Sequence, residues 1–221
     1  MKPPLAAVLF DLDGTLVDSA PDLTGTANDM RIQRGLDPLP HAELRLHCGS
    51  GARGMLGAGL GIEPGHAGYA PLRDEFHDRY EQRMLRLTAC FASIDKLLEA
   101  LQRRGLPWGI VTNKSLRFAE PLARALGLVP SAAVLVGGDS TPYTKPHPAS
   151  LLEASRRLGL DPRSCAYVGD DPRDMQAAHA AGMRAWAAAW GYLGPHAPVQ
   201  AWGADLVLEE PLSLLHSAEL T

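Results

Sequence analysis

The chain has 221 residues, 46% hydrophobic and 21% charged, with a formal net charge of −4. That is globular material for one sizeable core, or a core plus a smaller insertion, and it lacks the basic field that nucleic acids select. No run of about 18 apolar residues exists, the N-terminal apolar run is too short for a signal peptide, and Cys48, Cys90 and Cys165 show neither CxxC spacing nor a disulfide framework. A soluble, cytoplasmic protein with reduced thiols, no membrane partner and no nucleic-acid partner is expected.

In chain order, residues 6–10 form a continuous apolar run suited to a strand buried on both faces. It stops abruptly at Asp11-Leu12-Asp13-Gly14-Thr15. From Asp18 to about Leu87 no strand pattern appears. Helical stretches at 22–34, 42–47 and 72–85 are separated by glycine-rich sequence between Cys48 and Gly61. The alternation then begins. A helix at 93–104 stops at Gly105, and a strand follows at 108–112. A helix at 116–126 stops at Gly127, and a strand follows at 132–136. A helix at 147–158 stops at Gly159, and a strand follows at 165–169. A helix at 174–181 stops at Gly182, a strand follows at 185–189, and a fainter run lies at 205–208. Strand–helix alternation predicts an α/β, doubly wound parallel sheet, with residues 17–87 inserted as a helical unit and 1–16 with 88–221 as the core. Ligands of such sheets bind beyond the carboxyl ends of the strands.

Four polar clusters stand at those ends: Asp11 with Asp13 and Thr15; Thr112-Asn113; Lys145; and Gly169-Asp170-Asp171 followed by Asp174. Each alone has an ordinary explanation. A DxD suits an exposed turn, Thr-Asn a helix cap, a lysine before proline a solvated loop, and Gly-Asp-Asp a turn. Together, at successive strand ends, they suit phosphoryl transfer. An aspartate can attack phosphorus. Its charge and the phosphate's repel by roughly 4 kcal/mol at about 4 Å and an effective dielectric near 20. Mg²⁺ is the cation for an all-oxygen shell, here the carboxylates of Asp11 and Asp170 with a backbone carbonyl and waters. Lys145 adds positive charge, Thr112 donates a hydrogen bond, and Asp13 is available as general acid and base.

In these motifs and their order the chain resembles the haloacid dehalogenase-like phosphatases: Asp11-Leu12-Asp13-Gly14-Thr15, Thr112, Lys145, and Gly169-Asp170-Asp171-x-x-Asp174. The resemblance implies a Rossmann-like core with a helical cap at about 17–88, Asp11 as nucleophile and Asp13 as acid/base. It also implies Mg²⁺ on Asp11, the Asp13 carbonyl and Asp170, with Asp174 or Asp171 in support. Within the family the chain is similar to phosphoglycolate phosphatases. It is closer to the N-acetylmuramic acid 6-phosphate phosphatases of cell-wall recycling, through Gly51-Ala52-Arg53-Gly54-Met55, the segment from Trp108 to Lys114, Arg117-Phe118-Ala119-Glu120-Pro121, Trp190-Gly191-Tyr192 and Trp202-Gly203-Ala204-Asp205. The expected partner is a small acidic phosphate ester, and the expected assembly a monomer or weak dimer. A capped phosphomutase and a non-catalytic phosphate-binding protein are the alternatives. A dehalogenase gives Asp13 no task.

Arg53 is a candidate for a substrate carboxylate, weighed evenly against a surface arginine. Thr15 and Asn113 are candidate substrate contacts, and Lys114 and Arg117 suit a charged first turn equally with a substrate role. Gly49, Gly51 and Gly54 spell GxGxxG, but no strand precedes them, so a dinucleotide loop is rejected. His47 and His147 are the histidines expected nearest the site, as loop residues. The four tryptophans read as packing.

Overall fold

The N-terminal apolar run forms β1 (Ala7–Phe10), buried on both faces, in a computed structural model that describes residues 3–196 and 198–217. Two short strands, β2 (Val17–Asp18) and β3 (Ala89–Cys90), pair antiparallel as a separate ribbon. The main sheet has six parallel strands. On one side of β1 lie β4 (Trp108–Val111) and β5 (Leu135–Val136). On the other lie β6 (Cys165–Gly169), β7 (Arg184–Ala188) and β8 (Leu206–Leu208). This is the doubly wound α/β sheet that the alternation predicts.

Side chains alternate across the sheet with period two. Val8, Phe10, Trp108, Ile110, Ala166 and Val168 face one layer. That layer holds α5 (Ile94–Arg103), through Ile94, Leu97, Leu98 and Leu101, and α6 (Leu116–Ala125), through Ala119, Leu122 and Ala123. Ala7, Leu9, Val111, Cys165 and Tyr167 face the opposite layer, which holds α7 (Ala149–Leu158) and α8 (Pro172–Ala181). Cover on both faces is why these strands read as unbroken apolar runs. Register sets the site: Phe10 lies opposite both Ile110 and Val168, so Asp11, Thr112 and Asp170 all begin where the three central strands stop. The chain leaves β1 toward β4 and returns beside it as β6, which makes this edge the switch point of the sheet.

Between β2 and β3 run α1 (Ala20–Gln33), α2 (His41–Arg45), α3 (Gly51–Leu60) and α4 (Tyr69–Arg83). Their apolar cluster includes Leu23, Met30, Leu44, Met55, Phe76 and Tyr80, and it takes in Phe118 and Tyr192 from the sheet side. The sequence placed glycine-rich linker where α3 stands. The helix forms despite four glycines because Met55 and Leu56 are buried in the cluster, and because Gly54 passes so close to the His47 carbonyl that a Cβ has no room. The β2–β3 ribbon was also unexpected, since two-residue strands carry no readable period.

Candidate active site

Asp11 follows β1, and its amide N–H donates to the Val168 carbonyl at 2.9 Å, which ties the β1 end to β6. Asp170 follows β6 and is buried. Its Oδ1 accepts from the Thr15 hydroxyl at 3.1 Å and its Oδ2 from the Tyr192 amide at 2.8 Å. Asp174, in the first turn of α8, accepts the Asp171 amide N–H on Oδ2 at 3.0 Å and faces Lys145 with Oδ1 at 2.8 Å. Lys145 bridges to Asp11 at 3.0 Å, and its Nζ also donates to the Tyr167 hydroxyl at 2.6 Å. One carboxylate oxygen from each of Asp11, Asp170 and Asp174 lies within 4.8 Å of the others.

Such a cluster is costly as it stands. Burial, then Asp11 and Asp174, push the Asp170 carboxyl well above its ordinary pKa. Burial raises Asp174 to about 6, although Lys145 pulls the other way. The Lys145 ammonium is opposed by burial but held above its ordinary pKa by Asp11 and then Asp174. Three converging all-oxygen donors, two of them buried, with one lysine against them fit a hard divalent cation. Close backbone approach is built into the same place. Gly14 (φ +88°) and Gly191 leave no space for a Cβ beside the Asp170 side chain, nor does Gly169 beside Asp174.

The Asp13 carboxylate lies outside this cluster and has its own partners. Lys114 Nζ donates to its two oxygens at 3.0 and 2.9 Å, and Ser19 donates a short hydrogen bond to Oδ1. Thr112 is buried at the end of β4, its Oγ1 accepting the Lys114 amide at 3.2 Å, and among the described residues its hydroxyl proton has no acceptor. Asp11, Asp13, Thr112, Lys145, Asp170, Asp171 and Asp174 all line one cavity of about 390 Å³.

A model of haloacid dehalogenase-like hydrolases matches residues 5–182, which include all four clusters. The chain belongs to this family. The hydrolase is 40% identical over 211 residues to the N-acetylmuramic acid 6-phosphate phosphatase of Pseudomonas aeruginosa, covering 96% of this chain and 93% of that one. It is 44% identical over 213 residues to a phosphoglycolate phosphatase of Xanthomonas campestris pv. campestris, covering 96% of each. The crystal structure of a predicted phosphoglycolate phosphatase from Haemophilus somnus matches with a TM-score of 0.85 at 26% identity, covering 96% of this chain and 97% of that one. The hydrolase is a phosphoric monoester hydrolase. Among the described residues no helix is long and apolar enough to cross a membrane.

Three residues expected at the substrate have other work in the hydrolase. Thr15 is wholly buried and spends its hydroxyl on Asp170. Asn113 lines the cavity, but both ends of its amide clamp the Lys145 backbone, at 2.9 and 3.0 Å. Arg53 points to Glu63 at 3.6 Å with 69% of its side chain exposed, and the cavity wall does not include it. Asp171 caps α8 and pairs with Arg173 at 2.7 Å, so of the two expected supporting acids only Asp174 joins the cluster. His147 is exposed and packs on Tyr143, whereas His77, which the sequence did not single out, lines the cavity. Tyr167 and Tyr192 were likewise not singled out. Lys114, weighed evenly between a charged first turn and a substrate role, holds Asp13.

Proposed function

We propose that the hydrolase cleaves a small phosphomonoester in two steps through an aspartyl-phosphate on Asp11. The observation that carries this reading is the meeting of Asp11, Asp170 and Asp174 around Lys145 at the switch point of the sheet. Asp11, Asp170 and Asp174, with the Asp13 carbonyl that the family resemblance implies, would hold Mg²⁺. The ion supplies the positive charge that lets an anionic nucleophile approach an anionic phosphoryl group.

In the first step an Asp11 oxygen forms a bond to phosphorus as the ester P–O bond breaks. The electron pair leaves with the ester oxygen, which takes a proton from the Asp13 carboxyl. In the second step the Asp13 carboxylate removes a proton from water as that oxygen attacks phosphorus. The bond to Asp11 breaks, and inorganic phosphate leaves. Lys145, and the hydroxyl proton of Thr112, face the charge that builds on the phosphoryl oxygens. Lys114 and Ser19 fix the orientation of the Asp13 carboxyl. Residues 17–87 act as a cap that covers the leaving group, in keeping with wall residues drawn from α1, α3 and α4.

The substrate we favour is N-acetylmuramic acid 6-phosphate, supported by likeness to phosphatases of that name across nearly the whole chain. 2-Phosphoglycolate is the second reading, supported by the similarly named Xanthomonas relative. Transfer of the phosphoryl group to a sugar instead of water would mark a phosphomutase. We also propose a cytoplasmic setting, the expectation the sequence raised. Asp11→Asn keeps the shape of the side chain and removes the nucleophile. Its turnover of phosphate esters should vanish while its circular dichroism matches the parent. Turnover at the parent rate would refute the assignment of Asp11.

A further inference from the structure

The cavity has two kinds of wall. Strand ends supply carboxylates and lysines, while α1, α4 and α6 supply Leu23, Phe76, His77, Tyr80 and Phe118. Among the described lining residues, every cationic side chain already faces a carboxylate. Lys145 lies between Asp11 and Asp174, Lys114 holds both oxygens of Asp13, and Arg173 holds both oxygens of Asp171. The five lining aspartates also outnumber these three cations, an imbalance that a divalent ion offsets. A second anionic group close to the phosphoryl would therefore meet no uncommitted cation. A two-carbon acid holds its carboxylate there. A sugar phosphate keeps any acidic substituent a ring's width away, and presents hydroxyls and an apolar edge instead.

His77 is the wall residue suited to that leaving group. It is half-buried, and among the described residues neither ring nitrogen has a hydrogen-bond partner. Its ring is steadied by Phe118 at 5.4 Å and by the edge of Phe76 at 6.4 Å between centroids. Burial, then Arg73 and Arg117, hold its pKa below the ordinary value, so at neutral pH it offers one donor and one acceptor. We infer that His77 is a specificity-determining residue, hydrogen-bonding a hydroxyl or amide of a ring-sized leaving group whose apolar edge packs against Phe76 and Phe118. The inference rests on the phosphatase reading above and narrows it to sugar phosphates over short acidic esters.

The test is steady-state kinetics of the intact enzyme with N-acetylmuramate 6-phosphate, glucose 6-phosphate and 2-phosphoglycolate, for the parent, His77→Ala and His77→Gln. The parent should prefer a ring ester. In His77→Ala the ratio of kcat/KM for that ring ester over 2-phosphoglycolate should fall about tenfold, mainly through KM, the scale of one neutral hydrogen bond with its packing. His77→Gln, which restores a donor and an acceptor, should recover part of it. An unchanged ratio, including parallel loss on both esters, overturns the inference. So does a parent that prefers 2-phosphoglycolate, and that result leaves the phosphatase reading standing. A parent that hydrolyses no phosphate ester overturns both.

Discussion

Asp170 shows how a single residue carries the site. Its two oxygens are oriented by Thr15 and Tyr192, and its charge is opposed by burial and by two neighbouring acids. The bound ion should therefore act as a stabilising ligand. Millimolar Mg²⁺ should raise the parent Tm by several degrees in thermal unfolding, and Asp170→Asn should lose that response; an equal rise in the variant would count against the assigned ion site. The sign with pH follows from the same acids. A carboxyl whose folded pKa exceeds its unfolded value binds more protons in the native state between the two. For Asp174 that window runs from about 4 to about 6, and Asp170 shifts in the same direction. The protein stripped with chelator should thus lose stability as pH rises through this window, and saturating Mg²⁺ should suppress the loss. Thermal unfolding at pH 4.5 and 7, with and without the ion, reads both effects.

At the scale of elements, one tie between α1 and the return of the chain to the sheet is a single buried acid. Asp22 of α1 accepts on a single oxygen from the Leu87 and Thr88 amides, each at 2.9 Å, and from the Thr88 hydroxyl at 2.8 Å. Asp22→Ala strands those donors. We expect about 2–3 kcal/mol of destabilisation in urea unfolding, the cost of buried groups left unpaired. A change within experimental error would show that water satisfies them. The elements themselves differed in how far the sequence exposed them. The parallel strands were legible because cover on both faces makes them largely apolar, and the helices α5–α8 because each ends at a glycine or is followed closely by one. α3 was not, because propensity alone reads its glycines as linker, although Gly54 packs closely against the His47 carbonyl.

Across the whole molecule, the chemistry arises where distant segments meet. The acids and the lysine were legible as strand-end motifs, since spacing and residue type survive in sequence. The partners that aim them were not. Tyr167 beneath Lys145, Tyr192 on Asp170 and Tyr80 on Lys114 carry no local signal, because each acts only once the fold closes. Thr15 and Asn113 were read as substrate contacts because a polar residue beside a motif reads as one; in the fold their hydrogen bonds hold other site residues. Tyr80 on α4 and Lys114 after β4 also join the insertion to the strand-end cluster at 2.9 Å, so the α4 wall and Asp13, the acid we propose, belong to one network. The account stands most directly on where the phosphoryl group goes. Borohydride added during turnover reduces an acyl phosphate to an alcohol, turning the acceptor aspartate into homoserine. Peptide mass spectrometry should find homoserine at position 11. Homoserine at another aspartate, or an unmodified Asp11 from enzyme trapped in active turnover, would contradict the mechanism.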